Sequence, residues 1–240
     1  GGERYLVAAD TTSTFPAATQ ALRKVGYQRA LSAEGILALD PTMLLAAPEA
    51  GPPPAIAQLE AAGVRIVRAS GEFTFESLLA NVDLVARSLG LVPAGKAQDE
   101  TLRSQWRAAR AALRAGGVPP KVLFVLSHAA NNVQVAGEGT AAAAMIALAG
   151  GVNAISGIKG YRPLSAEGAL AAAPDVILCT REGLEAVGGV DVLLARPGLA
   201  LTPAGRARRV LAPDALLLLG FGPRLPQAVR ELAHGFGTLA

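Results

Sequence analysis

The side chains that most often ligate metals or attack substrates are scarce in this chain of 240 residues. It has two histidines, His128 and His234, and one cysteine, Cys179, with no second imidazole or thiol at ligand spacing. These residues argue against a structural zinc site, and no Cys–His or Ser–His–Asp order indicates a nucleophile. His128 follows an apolar run at 121–126, where a strand would end, and is expected to contact a ligand or to make loop hydrogen bonds. Cys179 ends an apolar segment and is expected to be a buried strand residue.

Two glutamates occur at equivalent positions of an internal repeat. Residues 26–42 (GYQRALSAEGILALDPT) recur as residues 160–175 (GYRPLSAEGALAAAPD), with one residue deleted between the tyrosine and the leucine. In each copy a serine is placed to cap a short helix, a glutamate occupies the second helical position, and a proline precedes an apolar strand. Glu34 and Glu167 are therefore expected at matching positions of two related lobes, an arrangement that suits a partner with two-fold symmetry.

The elements that must position these residues are short apolar strands alternating with helices, which predicts parallel sheets covered by helices. One further helix is expected at 74–89, between a Thr74 cap and Gly90, and a more polar one at 96–115. We predict an α/β fold of two Rossmann-like lobes with parallel sheets, joined by a single long rigid helix, with a ligand cleft between the lobes. The expected domains are an N-terminal lobe at 1–73, the connecting helix at 74–90 and a C-terminal lobe at 91–240.

Composition and short motifs exclude several classes of protein. The net charge of +3 is small and scattered, and 4% aromatic residues provide no stacking platform, so nucleic acid is not an expected partner. The longest apolar candidate, 210–221, is interrupted by Pro213, Asp214 and Gly220, so no membrane span is expected. Residues 137–140 (GEGT) lack the lysine of a phosphate-binding loop and are expected to form a tight turn, although their N–H groups could meet a carboxylate.

Seven segments, spread over nearly the whole chain, resemble the periplasmic haem-binding proteins of bacterial ABC haem importers. The most specific is 24–35 (KVGYQRALSAEG); the others are 10–16 (DTTSTFP), 135–140 (VAGEGT), 149–153 (AGGVN), 161–168 (YRPLSAEG), 201–205 (LTPAG) and 219–224 (LGFGPR). The resemblance implies a periplasmic binding protein whose two lobes are joined by a rigid helix. It further implies that the protein carries haem to an inner-membrane ABC permease for iron uptake and catalyses no reaction.

By this resemblance, Tyr27 would be the axial ligand of ferric haem. Ferric iron is a hard cation and a phenolate is a hard anionic ligand that other haem proteins use. Arg29, two residues along an extended loop, would lie on the same side as Tyr27 and donate to the phenolate. Glu34 and Glu167 match the family positions that form salt bridges with arginines of the permease dimer.

The resemblance assigns four more residues to haem. Arg224, in a Gly-Pro-Arg turn, would pair with a haem propionate or join the Tyr27 site from the other lobe. Lys159, Tyr161 and Arg162 mirror the first loop on the opposing rim, where some family members bind a second, stacked haem through a histidine. This chain has no histidine there, so a second haem would depend on Lys159 or Tyr161.

The chain departs from the family pattern at its start, where family members have another strand and helix. The first lobe is therefore expected to lack one strand and to expose a sheet edge. Two alternatives stay open. The same scaffold could carry a ferric siderophore or cobalamin, which would need a cleft rich in aromatic residues or arginines without a tyrosine placed for iron. A small Rossmann-like enzyme is the alternative of another class, and turnover of a nucleotide would support it.

Overall fold

The computed structural model describes residues 2–114, 116, 118–127 and 133–239. The chain divides into two compact units, Gly1–Leu102 and Arg103–Ala240. Both units contain parallel strand pairs and helices, so the predicted α/β class is confirmed. The division falls within one helix, and the connecting role assigned to residues 74–90 stays a prediction.

The first unit contains two separate pairs of parallel strands. In the first pair, Ala8 lies opposite Arg23, and in the second, Met43 lies opposite Arg65. Short 3-10 helices occupy Glu3–Tyr5 and Ala17–Ala21. The elements in order are β1 (Ala8–Ala9), β2 (Arg23–Lys24), α1 (Ala33–Leu37), β3 (Met43–Ala46), α2 (Pro53–Ala61), β4 (Arg65–Arg68), α3 (Phe75–Ser88) and α4 (Val92–Ala111), whose last nine residues belong to the second unit.

The helix expected at 74–89 is α3, and its ends follow the predicted signals. The Thr74 hydroxyl caps it by accepting from the Ser77 amide at 3.0 Å, and Gly90 follows with φ of +68°. The adjoining α4 passes very close to α3 at Gly95. A Cβ there would lie 2.4 Å from that of Ala86, so only glycine permits this approach.

The second unit is built on one six-stranded mixed sheet. Its strand order is β10-β9-β5-β6-β8. β6 pairs with the carboxyl-terminal part of β5, and β7 pairs with the amino-terminal part of β5. The elements are β5 (Lys121–Ser127), β6 (Val133–Ala136), α5 (Ala141–Leu148), β7 (Val152–Asn153), β8 (Tyr161–Pro163), α6 (Ala166–Ala172), β9 (Val176–Leu178), α7 (Arg181–Val187), α8 (Val190–Leu194), a 3-10 helix at Leu199–Leu201, α9 (Pro203–Arg206), β10 (Val210–Leu211), α10 (Ala215–Leu219) and α11 (Leu225–Phe236).

The parallel sheet expected in this unit is present, and it also contains an antiparallel strand. β5, β7, β9 and β10 are parallel to one another, but β6 is antiparallel to both β5 and β8. Periodicity could not show β6 and β8, because they have four and three residues and β8 ends in Pro163. A proline at the end of an edge strand is tolerated, since its missing N–H leaves no ladder bond broken.

Helices cover both faces of this sheet. Leu123 and Val125 of β5 belong to one buried cluster with residues of α6, α8 and α9. Side chains alternate along a strand, so Val122 and Phe124 face the other way. On that side a Cβ added to Gly151 would meet Val122, as well as residues of α5 and α11. No helix within the described part of the chain is long and apolar enough to cross a membrane.

The internal repeat is confirmed as one local structure formed twice. Ser32 accepts from the Gly35 amide at 3.2 Å, and Ser165 accepts from the Gly168 amide at 3.0 Å. Each helix is followed by a non-glycine residue of positive φ immediately before the proline: Asp40 at 48° and Ala173 at 42°. In both copies the next strand begins two residues after that proline. A left-handed non-glycine residue is uncommon, so its recurrence in register strengthens the relation between the copies.

Candidate functional site

Tyr27 lies just beyond the carboxyl end of β2, in a loop anchored by its neighbours. The Gly26 carbonyl accepts from the Thr11 amide at 2.9 Å, which extends the pairing of β1 with β2. The loop after β3 contributes Gly51, whose amide donates to the Gln28 carbonyl at 2.9 Å and whose carbonyl accepts from the Leu31 amide at 2.8 Å. Ligands of open α/β sheets bind at the carboxyl ends of strands, so the backbone fixes Tyr27 where a ligand contact is expected.

The backbone after Tyr27 is a tight turn, which corrects the extended loop predicted from the sequence. The Ala30 amide donates to the Tyr27 carbonyl at 2.8 Å, and Gln28 and Arg29 occupy the turn. The alternation of an extended chain therefore gives no reason for Arg29 to share a side with Tyr27. The turn arises because the Gly51 contacts draw residues 28 and 31 together, a tertiary constraint that the local sequence does not reveal.

Both side chains of this pair are accessible. The Tyr27 side chain is 45% exposed and that of Arg29 is also exposed. Within the described residues, neither the Tyr27 hydroxyl nor the Arg29 guanidinium hydrogen-bonds to another side chain or to the backbone. The same loop therefore exposes the Tyr27 phenol, whose phenolate is a hard anionic ligand, and the Arg29 guanidinium cation to solvent.

A polar turn at Asp10 lies beside the Tyr27 loop. In the sequence, Asp10 belongs to the 10–16 segment that resembles the family, and the residue types alone predict no role for it. The Asp10 carboxylate accepts from the Thr12 amide at 2.7 Å and from the hydroxyls of Thr12 and Ser13. Partial burial raises the pKa of Asp10, but these hydrogen bonds outweigh burial and leave the pKa below its ordinary value. The carboxylate thereby holds its turn, and Thr11 within that turn bonds Gly26 next to Tyr27.

Glu34 and Glu167 occupy the first turns of α1 and α6, each in its own unit. Both side chains are exposed. Because Ser32 and Ser165 make the capping contacts, neither carboxylate is needed to cap its helix. The two carboxylates are therefore available to an outside partner.

Tyr161, the counterpart of Tyr27 in the repeat, has a different setting. It is the first residue of β8 rather than part of a turn, and its ring packs edge-on against Phe124 with centroids 6.5 Å apart. It is half-buried, whereas Lys159 and Arg162 on either side of it in the chain are exposed. Arg162 follows Tyr161 directly on the strand, so its side chain leaves from the opposite face of the sheet.

The 137–140 turn holds the loop that leads into β8. The amides of Gly137 and Glu138 donate to the carbonyls of Gly160 and Ile158 at 2.8 and 2.7 Å, and a Glu138 carboxylate oxygen accepts from the Gly157 amide at 3.0 Å. These amides are thus engaged within the protein, and the expected tight turn is confirmed. The idea that they meet a ligand carboxylate is wrong for Gly137 and Glu138.

Arg224 is held at the carboxyl edge of the second sheet by Asp214, the cap of α10. Arg224 Nη2 lies 3.3 Å from one Asp214 oxygen, and Arg181 Nη2 lies 3.0 Å from the other. The Asp214 carboxylate also accepts from the Leu217 amide at 2.8 Å. Sequence reasoning missed Arg181 and Asp214, which are 33 residues apart; Arg181 starts the helix after β9, and Asp214 starts the helix after β10. The pairing follows from the adjacency of β9 and β10 in the sheet, which the spacing of residues in the sequence does not show.

Cys179 is 2% exposed, so its predicted burial is confirmed, but it directly follows β9 instead of lying within the strand. His234 is exposed near the end of α11. His128 lies outside the described residues. Across those that are described, no group of three or more His, Cys, Asp or Glu side chains could hold a metal ion.

Burial should make Cys179 unreactive in the native protein. Desolvation raises the pKa of its thiol to about 12, so almost no thiolate exists at neutral pH. A thiol reagent such as 5,5′-dithiobis(2-nitrobenzoate) should label one cysteine per chain in denaturant and none within the same time in buffer. Rapid stoichiometric labelling of the native protein would show that β9 and β10 separate readily.

A model of the family described as periplasmic binding protein matches residues 1–215. Among solved structures, the chain is similar to the periplasmic haem-binding protein BhuT in complex with two haems, with 52% identity and a TM-score of 0.92, covering 98% of this chain and 90% of that one. It is also similar to the periplasmic haem-binding protein RhuT from Roseiflexus sp. RS-1 in apo form, with 44% identity and a TM-score of 0.94 over 97% of this chain and 90% of the other.

A third similar structure is the periplasmic haem-binding protein HutB of Vibrio cholerae. Identity is 35% and the TM-score is 0.86, over 98% of this chain and 91% of that one. No curated protein sequence matches the chain.

Proposed function

The chain belongs to the periplasmic binding protein family, and we propose that it binds haem as its cargo and hands it to an ABC permease for haem and iron uptake. The observation that carries this proposal is the similarity to a haem-binding protein with haem bound, at 52% identity over 98% of the chain. A siderophore or cobalamin carrier of the same scaffold is less well supported, because Tyr27 presents a hard ligand for ferric iron on an exposed, anchored loop.

In this proposal Tyr27 is the axial ligand, and binding to the ferric iron releases its phenolic proton to solvent and leaves a phenolate. A phenolate bound to Fe(III) leaves the ferric haem without a net charge at the metal, which suits a partly apolar site. Arg29 contributes a cation from the same exposed turn, and its long side chain is proposed to reach the phenolate oxygen.

The second unit contributes residues for the haem periphery. Arg224 is proposed to bind a propionate, for which the planar guanidinium offers two parallel donors. Its contact with Asp214 at 3.3 Å keeps the side chain half-buried and limits the conformations it must give up on binding. Tyr161, Lys159 and Arg162 are proposed as further haem contacts, with the 137–140 turn fixing the loop that carries Lys159.

We further propose a periplasmic location and no catalysed reaction. Transport rather than turnover is supported by the family and by the ligand groups that Tyr27 and Arg29 present to solvent. Haem itself is the transported ligand in this account.

The proposal is tested by titrating the chain with hemin and following absorbance, with cobalamin and a ferric siderophore as comparison ligands. We expect saturable hemin binding with a change in the Soret band and no comparable binding of the other two. Tight binding of cobalamin or the siderophore, with only weak and non-saturating hemin binding, would show that haem is not the cargo. The end point of the titration also gives the number of haems per chain.

Docking to the permease is proposed to use Glu34 and Glu167, the exposed carboxylates of the two repeat copies. Removing both charges in Glu34→Gln plus Glu167→Gln should weaken binding to the cognate permease by about tenfold or more at low salt, since close charge pairs at interfaces contribute on this scale. Glu185→Gln plus Glu231→Gln, which alters two other exposed glutamates, should bind as the unaltered protein does. If the two double variants bind the permease with equal affinity, Glu34 and Glu167 do not have this docking role.

A further inference from the structure

The two units carry opposite net charges. Residues 1–102 contain 8 Lys and Arg against 11 Asp and Glu, a net charge of −3, whereas residues 103–240 contain 14 against 8, a net charge of +6. The whole-chain value of +3 hides this asymmetry. A basic unit within a nearly neutral chain points to an electrostatic role for that unit, provided that its cations are gathered on one surface.

Four of these cations lie together where the parallel strands of the second sheet begin. Lys121 is the first residue of β5, and Arg209 directly precedes β10. Arg206 is the last residue of α9, and Arg208 lies in the turn from that helix into the strand. The strand order brings these starts together, because β9 pairs with β5 on one side and β10 on the other. All four side chains are exposed.

The end of α4 adds two arginines to the same edge. Arg110 Nη1 donates to the Leu148 carbonyl at 2.9 Å, and the Arg114 amide donates to the Thr238 carbonyl at 2.7 Å. Residue 148 ends α5, and the chain then turns into β7, whose Val152 pairs with Lys121 of β5. We call the six residues Arg110, Arg114, Lys121, Arg206, Arg208 and Arg209 the basic edge.

Two carboxylates near the basic edge offset only part of its charge. Asp191 lies 2.7 Å from Arg208, and Asp175 accepts from the Lys121 backbone amide at 2.8 Å. Four strands at about 4.8 Å spacing make an edge roughly 14 Å wide. This width is less than two Debye lengths at physiological ionic strength, about 8 Å each, so the cations act together on a nearby charged surface.

We propose that the basic edge binds an anionic phospholipid surface. Guanidinium groups match phosphate oxygens, and cations spread along an exposed edge suit a planar array of phosphates. The exposed cations of this edge are spread over roughly 14 Å, which suits a flat anionic surface better than the compact hot spot of a protein interface. Trp106, whose ring centre lies 5.9 Å from the Arg110 guanidinium, is half-buried and is not an exposed anchor. The inference is independent of haem, because these residues lie at the opposite end of the strands from Arg224 and Arg181.

Binding in this way also orients the second unit. Glu167 lies in the first turn of α6, which follows β8 near the carboxyl end of β5. There the Leu164 amide donates to the Val133 carbonyl. The basic edge lies at the amino ends of the same parallel strands. A lipid-bound molecule therefore turns Glu167 and Arg224 away from the lipid, so docking of Glu167 to a permease in the same membrane requires release from the lipid.

The test is co-sedimentation with vesicles made of equal parts phosphatidylglycerol and phosphatidylcholine, compared with vesicles of phosphatidylcholine alone. The unaltered chain should bind only the anionic vesicles, and more weakly as salt is raised. Each cation at such a surface adds about fivefold in affinity, so Arg206→Gln, Arg208→Gln and Arg209→Gln together should weaken binding by roughly a hundredfold. The triple variant should keep its hemin affinity, which separates this inference from the haem proposal.

A matched control removes three exposed arginines from the first unit: Arg23→Gln, Arg68→Gln and Arg87→Gln. It has the same net charge as the first triple variant and should bind anionic vesicles nearly as the unaltered chain does. Equal loss in both triple variants would mean that only net charge matters and would overturn the proposal. Failure of the unaltered chain to bind the anionic vesicles, or equal binding to both kinds of vesicle, would overturn it as well.

Discussion

Replacing Tyr27 with phenylalanine is expected to lower the affinity for hemin by well over tenfold. The substitution keeps the ring, which is 45% exposed, and removes only the hydroxyl that is proposed to ligate iron. Loss of a partner that merely orients a metal ligand commonly costs about 10–100-fold in affinity, so loss of the ligand itself should cost at least as much. Hemin titration of the two proteins under the same buffer conditions measures the difference.

The matched control is Tyr161→Phe, which removes the hydroxyl of the equivalent tyrosine in the second repeat copy. That ring packs against Phe124 and is half-buried, so the phenylalanine variant should fold normally and lose at most severalfold in affinity. Arg29→Ala should give an intermediate loss. If Tyr161→Phe impairs hemin binding more than Tyr27→Phe does, the ligand assignment belongs to the second copy instead.

Replacing Gly137 with alanine is expected to lower the free energy of unfolding by about 2–4 kcal/mol, from overpacking and a lost hydrogen bond. A Cβ at this position would lie 2.1 Å from the Ile158 carbonyl oxygen and 2.8 Å from its carbon, both backbone atoms that cannot move aside independently. The 157–160 loop would have to shift, breaking the bond from the Gly137 amide to Gly160. Because that loop carries Lys159, hemin affinity should fall too.

Gly222→Ala serves as the comparison for Gly137→Ala. A Cβ at Gly222 would meet nothing within 4 Å, and its φ is outside the left-handed region. Urea unfolding should therefore give nearly the same stability as the unaltered chain for Gly222→Ala and a clear loss for Gly137→Ala. If Gly137→Ala is as stable as Gly222→Ala, the 157–160 loop is not held against the turn as described.

Local signals predicted well those parts of the fold that local interactions determine. The helix at 74–89 has a threonine cap, helical spacing of apolar residues and a terminal glycine, and α3 follows all three. The sequence also predicts the structure of the repeat, because the serine caps and the proline before each strand act on residues close to them in the chain. Both features depend on contacts between residues three or four apart, which sequence spacing describes directly.

Features set by distant contacts could not be predicted in the same way. The turn at residues 27–30 depends on Gly51, and the setting of Arg224 depends on Asp214 and Arg181. The two Gly-Tyr segments look equivalent in sequence, yet Tyr27 lies in a turn and Tyr161 in a strand paired to β6. One deleted residue and one proline distinguish the second copy, and pairing with β6 holds its backbone extended.

The most direct test of the central claim is the absorption spectrum of the chain loaded with one equivalent of hemin, recorded beside that of Tyr27→Phe. Ligation by a phenolate gives a charge-transfer transition between tyrosinate and ferric iron, and phenylalanine at position 27 has no oxygen to supply it. We expect this band in the unaltered chain and its loss in Tyr27→Phe, with the Soret band shifted. A charge-transfer band that persists unchanged in Tyr27→Phe would contradict the assignment of Tyr27 as the ligand of haem iron.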